Sequence, residues 1–243
     1  MHFESQIGHI GGNLSALDAM LYLHHYVMGK NDLFLLSKGH SAGALYVTLW
    51  TLGLLSESDL ETFHQDGTRL AGHPIPNWGP GILMGTGSLG HGVSLAAGMA
   101  LAKRFQKQPG RVYCLTSDGE WQEGSTWEGV IFSRHQRLNN LTLLVDVNGL
   151  QGFGSTHEVA SMNDLAPRLT GFGLHVVEAD GHDPESIRCA VNQQEAATQG
   201  PFVILLKTVK GKGIEGMENR MESHYLPLDR PRYDQAIQAL EIP

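Results

Sequence analysis

The sequence predicts an α/β fold, a parallel sheet with helices on both faces, and three observations carry the prediction. Two short apolar runs, Val112–Thr116 and Leu141–Val145, flank a helical stretch from Gln122 to Gln136. That is a strand–helix–strand unit, whose crossover is right-handed in roughly 98% of cases. Helical and strand-like segments alternate along the whole chain, as in a parallel sheet wrapped by helices. No Pro/Ser-rich linker divides the 243 residues, so one domain over 1–243 is expected.

The elements follow in order. Asn13 or Ser15 is placed to cap a helix that runs to Met28 and stops at Gly29. Leu33–Leu36 reads as a short buried strand, and Ser41–Leu52 as the next helix. Ser58 with Glu61 forms a capping-box pattern opening a short helix. Gly72–Gly92, rich in Gly and Pro, is a long loop, and such loops are often functional. His91–Phe105 is a helix that leads into the central unit. Beyond that unit, Asn163 is placed to cap a helix, Leu174–Ala179 is a strand, and Pro184 opens a helix to Thr198. Phe202–Thr208 is the last strand and Tyr233–Leu240 a closing helix.

Composition excludes several classes. A net charge of −8 argues against a nucleic-acid or anionic-membrane surface. Cys114 and Cys189 give neither a disulfide framework nor a Cys metal site, which suits a reducing cytoplasm. No apolar run is long enough to span a bilayer. The 13 histidines and 30 glycines include Gly-His steps at Gly8-His9, Gly39-His40, Gly72-His73 and Gly181-His182, each able to present an imidazole from a turn.

The strongest chemical signal lies at the ends of the two central strands. Ser117-Asp118-Gly119-Glu120 follows the first and Asn148-Gly149-Leu150 the second. Parallel sheets bind ligands outside the carboxyl ends of their strands. An Asp oxygen, an Asn carbonyl oxygen and a backbone carbonyl are hard ligands for Mg²⁺ or Ca²⁺. Mg²⁺ held by few carboxylates usually completes its shell with phosphates and water. The pair therefore asks for a metal–diphosphate.

Asp118-Gly119-Glu120-Trp121-Gln122-Glu123-Gly124 and Asn148-Gly149-Leu150-Gln151 resemble the thiamine diphosphate (ThDP) enzymes, and among them the transketolases. The resemblance implies the ThDP-binding fold of the diphosphate-binding (PP) type. It also implies a metal held by Asp118, Asn148 and the Leu150 carbonyl, with Gly119 beside the diphosphate. Ser117 stands where the family has Gly. Gly85-Thr86-Gly87-Ser88-Leu89-Gly90 matches the dinucleotide fingerprint G-x-G-x-x-G, but the Pro74–Gly81 stretch, not a strand, precedes it. It resembles instead the transketolase segment in which Gly87 and Leu89 would line the cofactor's rings; His91 stands where that family usually has Gln.

Gly8-His9-Ile10-Gly11-Gly12, Ser37-Lys38-Gly39-His40 and Ala71-Gly72-His73-Pro74 each resemble a transketolase motif. By that resemblance His9, His40 and His73 surround the reacting carbon and the donor sugar, with His73 on its terminal hydroxyl. His224, after Lys210-Gly211-Lys212-Gly213, matches a fourth histidine near the diphosphate. Imidazoles suit the task, since they donate hydrogen bonds and shuttle protons near neutral pH. The resemblance further places Glu123, and less firmly Glu128, in a network reaching the partner's cofactor site. His182, His157 and the His24-His25 pair read as ordinary loop or helix residues.

The resemblance covers part of a full-length transketolase. By the resemblance, the second α/β domain, which supplies the glutamate that activates ThDP, and the basic residues that grip the sugar phosphate are expected on another chain. The chain is thus expected to be the N-terminal, diphosphate-binding subunit of a split transketolase. Its partner would be a C-terminal subunit carrying the pyrimidine-binding domain, in an α2β2 assembly acting on sugar phosphates. Two alternatives share the metal motif: the α subunit of a 2-oxo-acid dehydrogenase, and a non-catalytic ThDP-binding module.

Overall fold

The computed structural model describes residues 1–76 and 81–240. A short helix α1 (His2–Ser5) precedes α2 (Ile10–Tyr22), which runs into a π-helical turn at Leu23–Val27. Strand β1 (Leu33–Leu36) leads to α3 (Ala42–Thr51) and α4 (Glu57–Glu61), and α5 (Gly92–Phe105) leads to β2 (Val112–Ser117). Helix α6 (Gly124–His135) connects β2 to β3 (Leu141–Val147), and a small antiparallel hairpin follows, β4 (Leu150–Gln151) with β5 (Gly154–Ser155). The rest comprises α7 (Thr156–Ala160), α8 (Leu165–Gly171), β6 (His175–Asp180), α9 (Pro184–Val191) and β7 (Phe202–Lys207). The chain closes with α10 (Glu222–Tyr225) and α11 (Arg230–Leu240).

The main sheet has five strands in the order β1-β2-β3-β7-β6, and every neighbouring pair is parallel. Strand side chains alternate between two apolar clusters, as a pleated strand buried on both faces requires. Phe34, Leu36, Tyr113, Leu115, Leu144 and Ile204 pack with residues of α2, α3 and α9. Leu35, Cys114, Leu143, Val145, Val203 and Leu205 pack with residues of α5, α6 and α8 on the other face. The predicted α/β architecture with helices on both faces is therefore the one observed.

Several predicted boundaries move. Helix α2 is not capped by Asn13 or Ser15: it opens at His9, which adopts a left-handed backbone (φ 68°). Both predicted caps are instead buried and bonded to distant groups. The capping box of α4 is Ser56 with Asp59 rather than Ser58 with Glu61, because only the earlier pair closes both reciprocal bonds. Asp164, not Asn163, occupies the N-cap position of α8, without a side-chain cap bond. Helix α9 ends at Val191 rather than Thr198, where the polar Asn192–Gln194 run removes its apolar stripe. Helix α11 begins at Arg230, ahead of Tyr233. Residues 77–80 of the predicted Gly72–Gly92 loop lie outside the described residues, and the described remainder holds no strand or helix before Gly92. Cys114 is buried and Cys189 exposed, and both are free. Among the described residues no helix is long and apolar enough to cross a membrane.

Candidate active site

The carboxyl ends of β1, β2, β3 and β7 converge on one edge of the sheet, and the side chains singled out by sequence gather there. Ser117 ends β2 in register with Asp146 of β3, which sets Asp118 and the Asn148–Leu150 turn side by side. One carboxylate oxygen of Asp118 accepts the Gly149 amide at 2.6 Å and the other the Gly119 amide at 2.8 Å. Asp118 is 2% exposed. Burial, then the nearby Asp146 charge, pushes its carboxyl up to about 6 against the two amide hydrogen bonds.

The other two oxygens of the expected metal set are close but already engaged. The Asn148 side-chain oxygen accepts the Leu150 amide at 3.1 Å. The Leu150 carbonyl accepts from the ammonium of Lys210 at 3.1 Å. Lys210 is 1% exposed, and burial, then the Lys38 charge, lowers it to about 8. The same ammonium is 2.8 Å from His224 Nδ1. Because an ammonium only donates, Nδ1 is the acceptor and the ring hydrogen of His224 sits on Nε2. Among the described residues no group of three or more His, Cys, Asp or Glu side chains is placed to hold a metal. The set here is of another kind, one carboxylate with an amide oxygen and a backbone carbonyl.

The four histidines form a cluster beside this turn. The His9 ring lies 5.5 Å from His40, 6.0 Å from His73 and 5.0 Å from His224, and His40 lies 5.8 Å from His224. Their backbone is braced by Asn13, whose amide nitrogen donates to the carbonyls of His9 (2.8 Å) and His40 (3.1 Å) while its oxygen accepts the Ala44 amide. Burial, with the positive charge around it, keeps the His9, His40 and His224 rings uncharged at neutral pH. His9 falls to about 4 through burial and then through His73 and Lys210, and His224 to about 3 through burial and then Lys210. His40 falls well below its ordinary value through burial and Lys38, and His73 is lowered through desolvation and His64. His9 Nδ1 is buried without a hydrogen-bond partner, an orphan atom among the four rings.

The remaining predicted residues sit around the cluster. Gly87 has φ 127°, a backbone conformation that favours glycine, and its missing Cβ would reach the His73 ring. Leu89 is half-buried nearby in sequence, and His91 caps α5 with its side chain exposed. Glu123 occupies the N-cap position of α6 and Glu128 lies on that helix; both are exposed, and the Glu123 side chain lies against Gly90, whose amide joins the buried network of the strand tips.

That network was not anticipated. Lys38 forms an ion pair with Asp146, and both side chains are 0% exposed. Asp146 also accepts from the hydroxyls of Ser15 and Thr208, and Lys38 donates to the Gly12 carbonyl at 3.1 Å. Burial alone would raise the Asp146 carboxyl; the Lys38 charge and these hydrogen bonds together hold it below the ordinary range. Glu120, also buried, accepts from the Ser37 hydroxyl and, at 2.9 Å, from the Gly90 amide, joining the β1 and Gly85–Gly90 loops. A charged residue near the end of the apolar run Leu141–Val147 was the available sign of the Asp146 pair.

The family model of the transketolase thiamine diphosphate binding domain matches residues 7–241. The chain belongs to this family. It is 36% identical over 244 residues to one of the subunits of the apulose-4-phosphate transketolase of Phocaeicola vulgatus, covering 97% of this chain and 86% of that subunit. It is equally similar to the 6-deoxy-6-sulfo-D-fructose transketolase subunit SqwG of a Clostridium species, 36% identical over 244 residues, covering 97% and 89%. Among solved structures, the transketolase of Leishmania mexicana superposes with a TM-score of 0.89 at 27% identity over 96% of this chain. The chain spans 38% of the length of that transketolase. The metal and histidine positions predicted from the family resemblance thus fall on one edge of a family-typical sheet, and Lys210, Asn13 and Glu120 join them through contacts that the motifs did not mark.

Proposed function

We propose that the chain is the diphosphate-binding subunit of a two-chain transketolase, moving a two-carbon ketol unit from a ketose phosphate to an aldose phosphate. The observation that carries this reading is the meeting of Asp118, Asn148 and the Leu150 carbonyl with Lys210 and four clustered histidines, in a chain of the ThDP-binding family. Asp118, Asn148 and Leu150 would hold Mg²⁺ or Ca²⁺. The residues fit such an ion: Asp118 is a buried carboxylate fixed by the Gly149 and Gly119 amides, and a cationic donor already seeks the Leu150 oxygen. ThDP, when bound, supplies a nucleophilic carbon and a sink for the electrons of the broken carbon–carbon bond.

The chain's own groups then bind, orient and move protons. Lys210 would neutralise part of the diphosphate's charge, Asp118, Asn148 and Leu150 would hold the metal that neutralises the rest, and Gly119 would lie beside it. Gly87 and Leu89 line the cofactor's rings. His9, His40 and His73 donate hydrogen bonds to the sugar hydroxyls and to the oxyanion that develops at the ketone, where preorganised donors act most strongly. His224, with its hydrogen on Nε2 and Nδ1 fixed by Lys210, faces the same cluster. Glu123 lies where the partner's site would be reached.

Two facts support a partner subunit. Relatives of which this chain covers 86% and 89% are named as transketolase subunits. Beside the cluster, Phe153 (87% exposed) at the hairpin tip and Tyr225 (54%) next to His224 present apolar surface of the kind that interfaces cover. The partner we propose is a C-terminal subunit with the pyrimidine-binding domain, in an α2β2 assembly working in the cytoplasm. The test mixes the chain with that subunit, ThDP and Mg²⁺, then offers xylulose 5-phosphate, apulose 4-phosphate, 6-deoxy-6-sulfofructose or pyruvate and follows products by mass spectrometry. Two-carbon transfer from a ketose is expected. Decarboxylation of pyruvate alone would mark a 2-oxo-acid dehydrogenase subunit, and no product at all a non-catalytic module.

A further inference from the structure

The segment that carries Lys210 into the site is held at each step by a different element. The Thr208 amide donates to the Val147 carbonyl at 3.2 Å, and the Gly211 amide to the Gly11 carbonyl of α2 at 3.0 Å. Between them, the Val209 amide donates to a side chain, Nε2 of His182, at 2.9 Å. A backbone N–H can only donate, so Nε2 bears no hydrogen and Nδ1 does. Nδ1 points at Asp18 Oδ2, 2.7 Å away on α2. The imidazole is 11% exposed and the Asp18 carboxyl 43%. His182 itself is fixed from behind, because the Gly181 amide donates to the Lys207 carbonyl at 2.8 Å. The segment flanks a cavity of about 500 Å³ lined in part by Glu178, His182, Thr208, Val209 and Lys212. On that side, directed hydrogen bonds rather than packed core hold it.

We propose that His182 is a positioning residue for the cofactor's diphosphate: aligned by Asp18, its unprotonated Nε2 fixes the Val209 amide and so aims Lys210. The proposal rests on the reading of Lys210 as a diphosphate-binding cation. The arrangement is that of an outer-shell imidazole, one nitrogen held by a carboxylate so that the other performs a single task.

Glutamine and asparagine separate the two nitrogens. His182→Gln can place its oxygen near the position of Nε2 and keep the acceptor for Val209; His182→Asn can keep the Asp18 contact and lose that acceptor. ThDP is titrated calorimetrically, with Mg²⁺ present, into the full chain assembled with its partner subunit. The Gln variant is expected to bind within about threefold of the wild type, and the Asn variant about tenfold or more weakly, as for other outer-shell partners. In a Lys210→Met background the Asn substitution should change the affinity no further. Equal losses for Gln and Asn, or an undiminished Asn loss in the Lys210→Met background, would overturn the proposal. Should the Asn variant fail to fold, Asp18→Ala, at a half-exposed carboxylate, is read in the same two backgrounds. A wild-type complex that takes up no ThDP sinks the functional reading and this proposal together. Normal uptake with the wrong variant pattern sinks this proposal alone.

Discussion

The ammonium of Lys210 lies 3.1 Å from the carbonyl oxygen of Leu150, so a side-chain cation rests on one of the oxygens assigned to a divalent ion. A metal on the same oxygen would repel that ammonium, unless an anion sits between the two charges and is shared by both. A diphosphate is such an anion. The juxtaposition therefore predicts that metal and diphosphate bind together more readily than either alone.

Lys210→Met tests this directly. Loss of a charge-assisted hydrogen bond costs about 1.5–3 kcal/mol, so ThDP affinity in Mg²⁺ should fall roughly 10- to 100-fold. Lys210→Arg should not restore it, because a planar guanidinium does not fit where the lysine is 1% exposed. Titration calorimetry gives the constants. Wild-type affinity in the Met variant would remove Lys210 from the site.

Asp118 offers a thermal test of the same site. Ligand at about 100 times its Kd stabilises a protein by about 2.7 kcal/mol. For a chain of this size that is a rise in Tm of roughly 5–10 °C. ThDP with Mg²⁺ should raise the Tm of the wild type by this amount and leave Asp118→Ala unmoved. The Ala variant should also be no less stable without ligand than its two lost amide bonds dictate, since it removes a carboxyl that burial already disfavours as an anion. An unchanged ligand response in the variant would place the diphosphate elsewhere.

The Lys38–Asp146 pair predicts a non-additive stability pattern. Breaking a buried pair by removing one partner costs about 3–5 kcal/mol, because the other charge is left without compensation. Lys38→Met should lower the urea midpoint accordingly. Lys38→Met combined with Asp146→Leu should recover a large part of the loss, since an apolar pair needs no partner. ThDP affinity should stay impaired in the double variant, because Ser15, Thr208 and the Gly12 carbonyl lose the groups that hold them. If the double variant is as unstable as the single, the pair is not coupled as drawn.

What the sequence made legible follows from range. The strand tips at Asp118 and Asn148 are read from local patterns, an apolar run followed by a turn, and the parallel register of β2 with β3 then places them together. His9, His40 and His73 were readable because each sits on its own Gly-His step within a longer motif, and His224 because it follows the Lys210–Gly213 loop. Lys210 was not, since its partners Leu150 and His224 are joined to it only by the fold. His182 looked like an ordinary loop residue because Asp18 lies far away in sequence on another helix. The α4 cap shows the opposite case: Ser56-Glu57-Ser58-Asp59 and Ser58-Asp59-Leu60-Glu61 are overlapping boxes, and local pattern alone does not choose between them.

Protonation of the site should be visible in the stability of the cofactor-free chain. His9 and His224 are lowered from 6.5 to about 4 and about 3, chiefly by burial, and His2, His24, His40 and His73 are lowered too. A base whose folded pKa is depressed contributes stability above its unfolded pKa and loses it as pH falls toward the folded value, because the unfolded chain takes up protons that the folded chain refuses. Asp118 and Glu120 act in the opposite sense: their raised carboxyls accept protons in the folded state first, which relieves a penalty as pH falls. Six depressed imidazoles outweigh two raised carboxyls between pH 6.5 and 4, so the urea midpoint should drop on going from pH 7.5 to pH 5. His9→Gln should flatten that drop. A midpoint that stays level or rises over this range would mean that the imidazoles are not held uncharged by burial.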